Sequence, residues 1–408
     1  MLATLVDTFR RNLRSYILLM ALLAIWIGFG IATPAFYSAD HIQNVLTQMA
    51  IIGIMACGMV FVIVTGGIDL SVGFGAGFVS VVAAALLYFN TITKPLAALF
   101  PHMTPGTLEV VSAVVIVLLC LLLGALIGVF QGFIIAFLAV PPFITTLGGM
   151  FIFKSGILMV TKGKSLFISS NDTYKYIAQG LLPPMFGYVL VALVAVVLFT
   201  MVFRSRARKQ KYGIELPHIA LDLAKAGFFT LIVLGYVLVV NRAFDHEADA
   251  SIRGVPFLVV ILALIGLLMS YISTNTRFGR YAYAIGGNRD AARLSGINIR
   301  KYLFGIYVTM GALMGVSGIA LAAYVGSGTT GAGGGYELDV IASCILGGTS
   351  TLGGEGTIFG AIIGALIMQS LGNGLQMMNV NSNVQYLIKG LVLILAVWAD
   401  ISMKKKKG

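Results

Sequence analysis

Along the chain, long apolar runs alternate with short polar breaks. The runs cover roughly 16–35, 44–64, 72–89, 108–137, 143–161, 184–203, 222–241, 255–273, 303–325, 338–348, 357–376 and 383–399. Crossing about 30 Å of hydrocarbon takes about 20 residues at 1.5 Å each, which most of these runs supply. Residues 338–348 are too few to cross alone and read as a half-helix continued by the glycine-rich stretch around it. The pattern therefore predicts an all-α, polytopic helical bundle of about 10–12 membrane elements, some of them broken or re-entrant. Residues 1–403 form one transmembrane domain and 404–408 a basic tail.

Composition supports this reading. Of 408 residues, 59% are hydrophobic and 10% charged, and the mean hydropathy is +0.97. Soluble domains carry about a quarter charged residues, so a soluble core is excluded. The net charge of +12 does not point to nucleic acid, because the cations gather between the apolar runs. Such clusters set topology by facing the cytoplasm. They lie at Arg10, Arg11 and Arg14, in RSRARKQK (204–211), along 277–301, and in the KKKK tail (404–407). With all four inside, both termini are cytoplasmic and the number of spans is even. Loop 241–254, with three acids and two bases, then falls outside. The first apolar run has the length of a span and reads as a retained helix rather than a cleaved signal. The three cysteines, Cys57, Cys120 and Cys344, sit unspaced in apolar segments and read as small core residues. The four histidines are scattered and outline no metal cluster.

Two regions interrupt the apolar pattern. In VTGGIDLSVGFGAG (64–77), Asp69 is the one charged residue between Asp40 and Lys94. It either caps a helix beginning at Leu70 or serves transport or gating, since ionisable groups within membranes are costly. Residues 326–357 carry many glycines with Glu337, Asp339 and Glu355. These glycines either break helices around a polar cavity or allow close helix packing. Thr65, Ser71, Asn373, Gln376 and Asn379 are polar groups suited to line a path for a neutral solute, or to join helices.

Nothing in the chain reads as catalytic. GKS at 163–165 lacks the earlier glycine of a phosphate-binding loop, since Leu158 stands there. Ser317 in GVSG has no histidine after it to serve as a base, His246 being the last. Any energy must arrive through a contact or an ion gradient.

GGNRDAARLSGINIRK (286–301) is the stretch suited to a contact. Asn288 stands at an N-cap position and Asp290 in the first turn. Ala291 to Leu294 favour helix, and Ser295-Gly296 ends it. So short a helix is marginal in water and needs a docking surface. It lacks the broad apolar face of a membrane-surface helix.

The string GRYAYAIGGNRDAARLSGINIRK (279–301) resembles the cytoplasmic coupling segment of bacterial ABC sugar-importer permeases of the ribose, galactose and xylose branch. VFVIVTGGIDLSVG (60–73), VPPFITTLGGM (140–150), GYELDVIASCILGGTSTLGG (335–354) and VQYLIKGLVLILAVWAD (384–400) resemble the same branch, in order. The additional helix pair at about 184–241 is similar to the xylose and multiple-monosaccharide permeases. The resemblance implies a type II importer permease in the bacterial inner membrane, working as a homodimer amid membrane lipid. It implies a separate ATPase subunit, which binds ATP and Mg while this chain binds no cofactor. It also implies a periplasmic or lipid-anchored sugar-binding protein. The coupling loop then spans about 275–302, with Gly286, Gly287, Asn288, Arg289, Asp290, Ala291, Ala292, Arg293, Leu294, Ser295 and Gly296 meeting the ATPase. An ion-coupled secondary transporter is the alternative, and it leaves this capped helix unexplained.

Overall fold

The structure, a computed structural model, describes residues 13–168, 171–211, 219–241 and 254–405. The helices follow the apolar runs closely: α1 Leu13–Ala32, α2 Ala39–Val64, α3 Val72–Tyr88, the short α4 Thr93–Leu99, α5 Pro105–Ala136 and α6 Pro142–Thr161. After the two-residue strand β1 (Leu166–Phe167) come α7 Asp172–Gln179, β2 Leu181–Leu182, α8 Pro184–Lys211 and α9 Ile219–Val240. Then follow β3 Val255–Pro256, α10 Phe257–Asn275, α11 Arg277–Gly287, α12 Arg289–Leu294 and α13 Ile299–Val325. The chain closes with β4 Ser327–Gly328, α14 Tyr336–Leu346, α15 Ile358–Met377 and α16 Ser382–Lys405.

Among the described residues, eight helices are long and apolar enough to cross a membrane, and α3 with α4 forms a further candidate bent by 45°. Helices α1 and α16 carry shorter apolar stretches. At 11 residues, α14 is about half a span long. Those twelve elements match the twelve apolar runs.

From Met49 to Val64, helix α2 is apolar on every side and sits enclosed at the centre, as its sequence requires. Around it, α13 packs on α5 and α3, and α15 packs on α2 and α14. Small residues make the closest approaches. A Cβ at Gly124 of α5 would lie 2.6 Å from the Gly311 carbonyl oxygen of α13, and Gly128 and Gly315 continue the seam. In a membrane, where lipid is as apolar as leucine, such close backbone contact is a main source of helix association. The glycines of 326–357 do the same: Gly333 meets Gly73, and Gly347 meets Gly360.

Two expectations need correction, the break at RSRARKQK and the cap at Asp69. RSRARKQK is not a loop, because α8 continues through it to Lys211 and Arg206 pairs with Asp222 of α9. Arg, Lys, Ala and Gln all favour helix, so nothing local stops it. Asp69 does not cap a helix at Leu70, since α3 starts at Val72 and Asp69 turns inward. Short helices α4, α7 and α11 occupy stretches without a long apolar run. Arg10, Arg11, most of loop 241–254 and the last lysines of the tail lie outside the described residues.

The pair α8–α9 is an appendage. Strands β2 and β3 pair antiparallel, with Leu182 opposite Val255, and so close its base. Asn241 Nδ2 donates to the Pro184 carbonyl at 3.1 Å, which ties its two ends together.

Candidate coupling and translocation site

The stretch 286–296 builds a small rigid knob. Asn288 is extended (φ −157°) and breaks the helix there. Its side chain then accepts the Ala291 N–H at 2.9 Å, capping α12. Asp290 stands in the first turn and Arg293 in the last, each favourable to the helix dipole. They pair at 3.4 Å, both strongly exposed. Ser295 donates its hydroxyl to the Ala291 carbonyl at 2.9 Å, and Gly296 closes the turn at φ +80°. Ala292 is 4% exposed and Leu294 84% exposed. The inner face is thus fixed while a large apolar side chain stands free at the tip. An isolated helix of this length would not persist in water, so its caps and its inner contact hold it.

The knob is joined to the bundle through backbone. Helix α11 buries Gly279, Ala282 and Ile285 on one side, and Tyr283 donates to the Gly356 carbonyl at 2.8 Å. A Cβ at Gly286 would overlap the carbonyl of Val64. That same carbonyl accepts the Gly354 N–H at 2.9 Å. The end of α2, the end of α11 and loop 347–357 therefore interlock, with no side chains between them to absorb a displacement.

From Val64 the chain leads directly to three of the anticipated polar residues. Thr65 bonds back to the Val62 carbonyl at 2.9 Å. Asp69, 0% exposed, accepts the Ser71 N–H at 2.9 Å and its hydroxyl at 2.6 Å through Oδ1. Ser71 Oγ in turn accepts from Gln131 Nε2 of α5 at 2.6 Å. Thr146 of α6 donates to the Ile68 carbonyl at 3.2 Å. Among the described residues, the buried atoms at this end without a hydrogen-bond partner include Asp69 Oδ2, Gln131 Oε1 and the Tyr307 hydroxyl. Buried polar atoms are rarely left so, which sets this polar cluster apart within the apolar core. Gln131 had a visible signal, as the lone amide in the apolar run of α5.

Asn373 belongs to a separate network at the far half of α2. It exchanges hydrogen bonds with Gln48, its Nδ2 donating to Gln48 Oε1 at 3.1 Å. Gln48 donates to the Tyr324 hydroxyl at 2.8 Å. One turn before Asn373, Gln369 donates to Asp339 at 3.3 Å, and Lys389 pairs with Asp339 at 2.8 Å. Gln376 and Asn379 lie beyond, exposed at the end of α15. The six anticipated path residues thus divide into two groups, separated along α2. Ser317 is buried and donates to the Ile51 carbonyl at 3.1 Å, joining α13 to α2. Cys57, Cys120 and Cys344 are all buried free thiols.

Residues 41–397 match the family described as branched-chain amino acid transport system, permease component. The chain is 38% identical over 398 residues to the xylose transport system permease protein of Haemophilus influenzae, covering 97% of this chain and 98% of that one. It is 37% identical to the xylose transport system permease protein of Escherichia coli K12, over 97% of this chain and 93% of that one. To the ribose import permease protein of E. coli K12 it is 32% identical, over 95% and 92% of the two chains. No solved structure matches it. The matched span runs from α2 to α16 and takes in the central helix, the interlocked knob and both polar clusters, and the chain belongs to this family of transport-system permease components.

Proposed function

We propose that this chain is the membrane permease of an ATP-driven monosaccharide importer, with xylose as its first substrate, and that α12 is the contact through which a separate ATPase moves it. The carrying observation is the capped helix with Leu294 exposed at its tip, joined by backbone to the end of the central helix α2. ATP and Mg belong to the ATPase. Closure of its two nucleotide-binding modules displaces α12. The contact at Gly286, Val64 and Gly354 passes this displacement to α2 and to loop 347–357. Rigid helices that switch between two packings then open the path to each side in turn.

In this reading α12 faces the cytoplasm, as do both termini. Thr65, Asp69 and Ser71 form the inner end of the path, and Asn373, Gln376 and Asn379 its outer half. A neutral sugar needs hydroxyls and amides along its way, which Thr65, Ser71, Asn373, Gln376 and Asn379 supply. The assembly contains a second copy of this chain and a sugar-binding protein that delivers the substrate from outside. The xylose permeases that resemble this chain over nearly their whole length support the choice of sugar.

Reconstitution tests the reading. Proteoliposomes containing the chain, its ATPase and the loaded binding protein take up xylose only with ATP. Uptake by the chain alone under an ion gradient would replace this reading with ion-coupled transport.

A further inference from the structure

We propose that a polar cleft at the outer end of α2 holds the sugar before it crosses, and that a hydrogen-bonded relay behind the cleft gates its passage; this rests on the importer reading above. The cleft has a volume of about 270 Å³ and is lined by Asp40, Gln43, Asn44, Thr47, Gln179 and Tyr324. That volume lies just under the lower end of ligand pockets, about 300 Å³, and suits a single small ring. Carboxamides and hydroxyls both donate and accept hydrogen bonds, as the adjacent hydroxyls of a sugar do. Leu181 and Pro256 supply an apolar patch for the C–H face of the ring. The ligand class is a neutral, polyhydroxylated ring, pentose-sized.

Tyr324 connects this cleft to the interior. Its hydroxyl donates to Asn44 Oδ1 within the cleft and accepts from Gln48 behind it. From Gln48 the chain of bonds runs through Asn373 and the Gln369 carbonyl to Gln369, Asp339 and Lys389. It ties α2, α13, α14, α15 and α16 together in one arrangement. At its inner end, two buried carboxylate oxygens, Glu337 Oε2 and Asp339 Oδ1, have no hydrogen-bond partner. Both can accept further hydrogen bonds. A sugar hydroxyl that donates to the Tyr324 oxygen displaces the Gln48 Nε2 donor from it, and the Gln48–Asn373 contact loosens with it. A ligand shifts such an equilibrium only through bonds it makes better in one state, and the Tyr324 hydroxyl is where that difference arises.

The native cysteines are all buried, so one cysteine placed in the cleft can be read alone. Asp40→Cys and Gln179→Cys are each introduced separately into the full chain, assembled with its ATPase in vesicles. Both are labelled from the outer face with a membrane-impermeant maleimide. D-Xylose slows labelling about tenfold once it exceeds its dissociation constant about tenfold, whereas glycine at equal concentration does not. Tyr324→Phe in the same backgrounds abolishes the protection. Unprotected labelling, or failure of both cysteines to label, overturns the cleft, and protection that survives Tyr324→Phe overturns the relay. ATP-driven uptake by the wild-type chain in parallel vesicles separates either failure from failure of the importer reading.

Discussion

Val64 accepts the backbone N–H of Gly354 at 2.9 Å, and Gly286 lies against the same carbonyl with no room for a methyl group. One peptide oxygen thus joins the central helix, the segment leading to α12 and the loop before α15. Its neighbours along the chain are Thr65 to Ser71, where Asp69 is buried. From Gly286 to that cluster the connection runs through covalent and backbone contacts.

Gly286→Ala forces a methyl group into the Val64 carbonyl. Overpacking of this kind costs about 1–3 kcal/mol. The variant is expected to insert, melt earlier than wild type and lose ATP-driven uptake. Thermal unfolding and transport on one preparation check both expectations.

Gly296 sits at φ +80° and donates its N–H to the Arg293 carbonyl at 3.0 Å. Proline is confined to φ near about −65° and has no N–H. Gly296→Pro is therefore expected to distort the turn after α12 and uncouple transport from ATP hydrolysis while the chain still inserts. Arg293→Glu, which reverses the charge at the end of α12, is expected to uncouple likewise. ATP-driven uptake equal to wild type in both variants would refute this.

Asp69→Asn tests the cluster around Ser71. Asparagine can still accept from Ser71 through its carbonyl oxygen, so folding is expected to survive. The bond loses its charge assistance, a difference of about 1–2 kcal/mol. Uptake is expected to fall about tenfold relative to the amount of inserted chain, as read by normalising transport to purified permease.

Lys389→Met leaves the Asp339 carboxylate buried without its cation. Breaking a buried pair costs about 3–5 kcal/mol, whereas replacing both members by apolar groups is often neutral. The single variant is expected to lose stability, and Lys389→Met with Asp339→Leu to recover much of it. Thermal unfolding of both, compared with wild type, decides this.

Removing residues 184–253 joins Pro183 directly to Gly254. Because Leu182 already pairs with Val255, Pro-Gly then serves as a two-residue turn. The shortened chain is expected to purify and to import, which would show that the α8–α9 pair lies outside the path. Loss of ATP-driven uptake from a well-folded deletion would assign the pair a transport role.

The bundle was largely legible in the sequence because membrane spans advertise themselves as apolar runs, and the ends of α2, α5, α6 and α13 fall close to where those runs stop. The knob was legible for a different reason. Its signals, Asn288 before the helix and Gly296 after it, act within one turn. What escaped was long-range. Gln131 meets Ser71 across 60 residues, and Lys389 meets Asp339 across 50, and no local spacing encodes either pairing. Asp69 looked like a cap because its neighbours resemble a helix start; its burial depends on α5, α6 and α13 closing over it. The helical end of α8 escaped because a cationic stretch reads as solvated, although its residues are good helix formers.

The most direct measurement concerns α12. The chain is expressed with its ATPase, purified in mild detergent, and compared with Leu294→Asp and with a version in which residues 288–296 are a Gly-Ser linker. A large apolar side chain central to a contact is worth about 2 kcal/mol or more, so Leu294→Asp is expected to weaken ATPase binding about thirtyfold. The linker is expected to abolish it. Equal recovery of the ATPase with all three chains would contradict the account, because the exposed helix would then not be where energy enters.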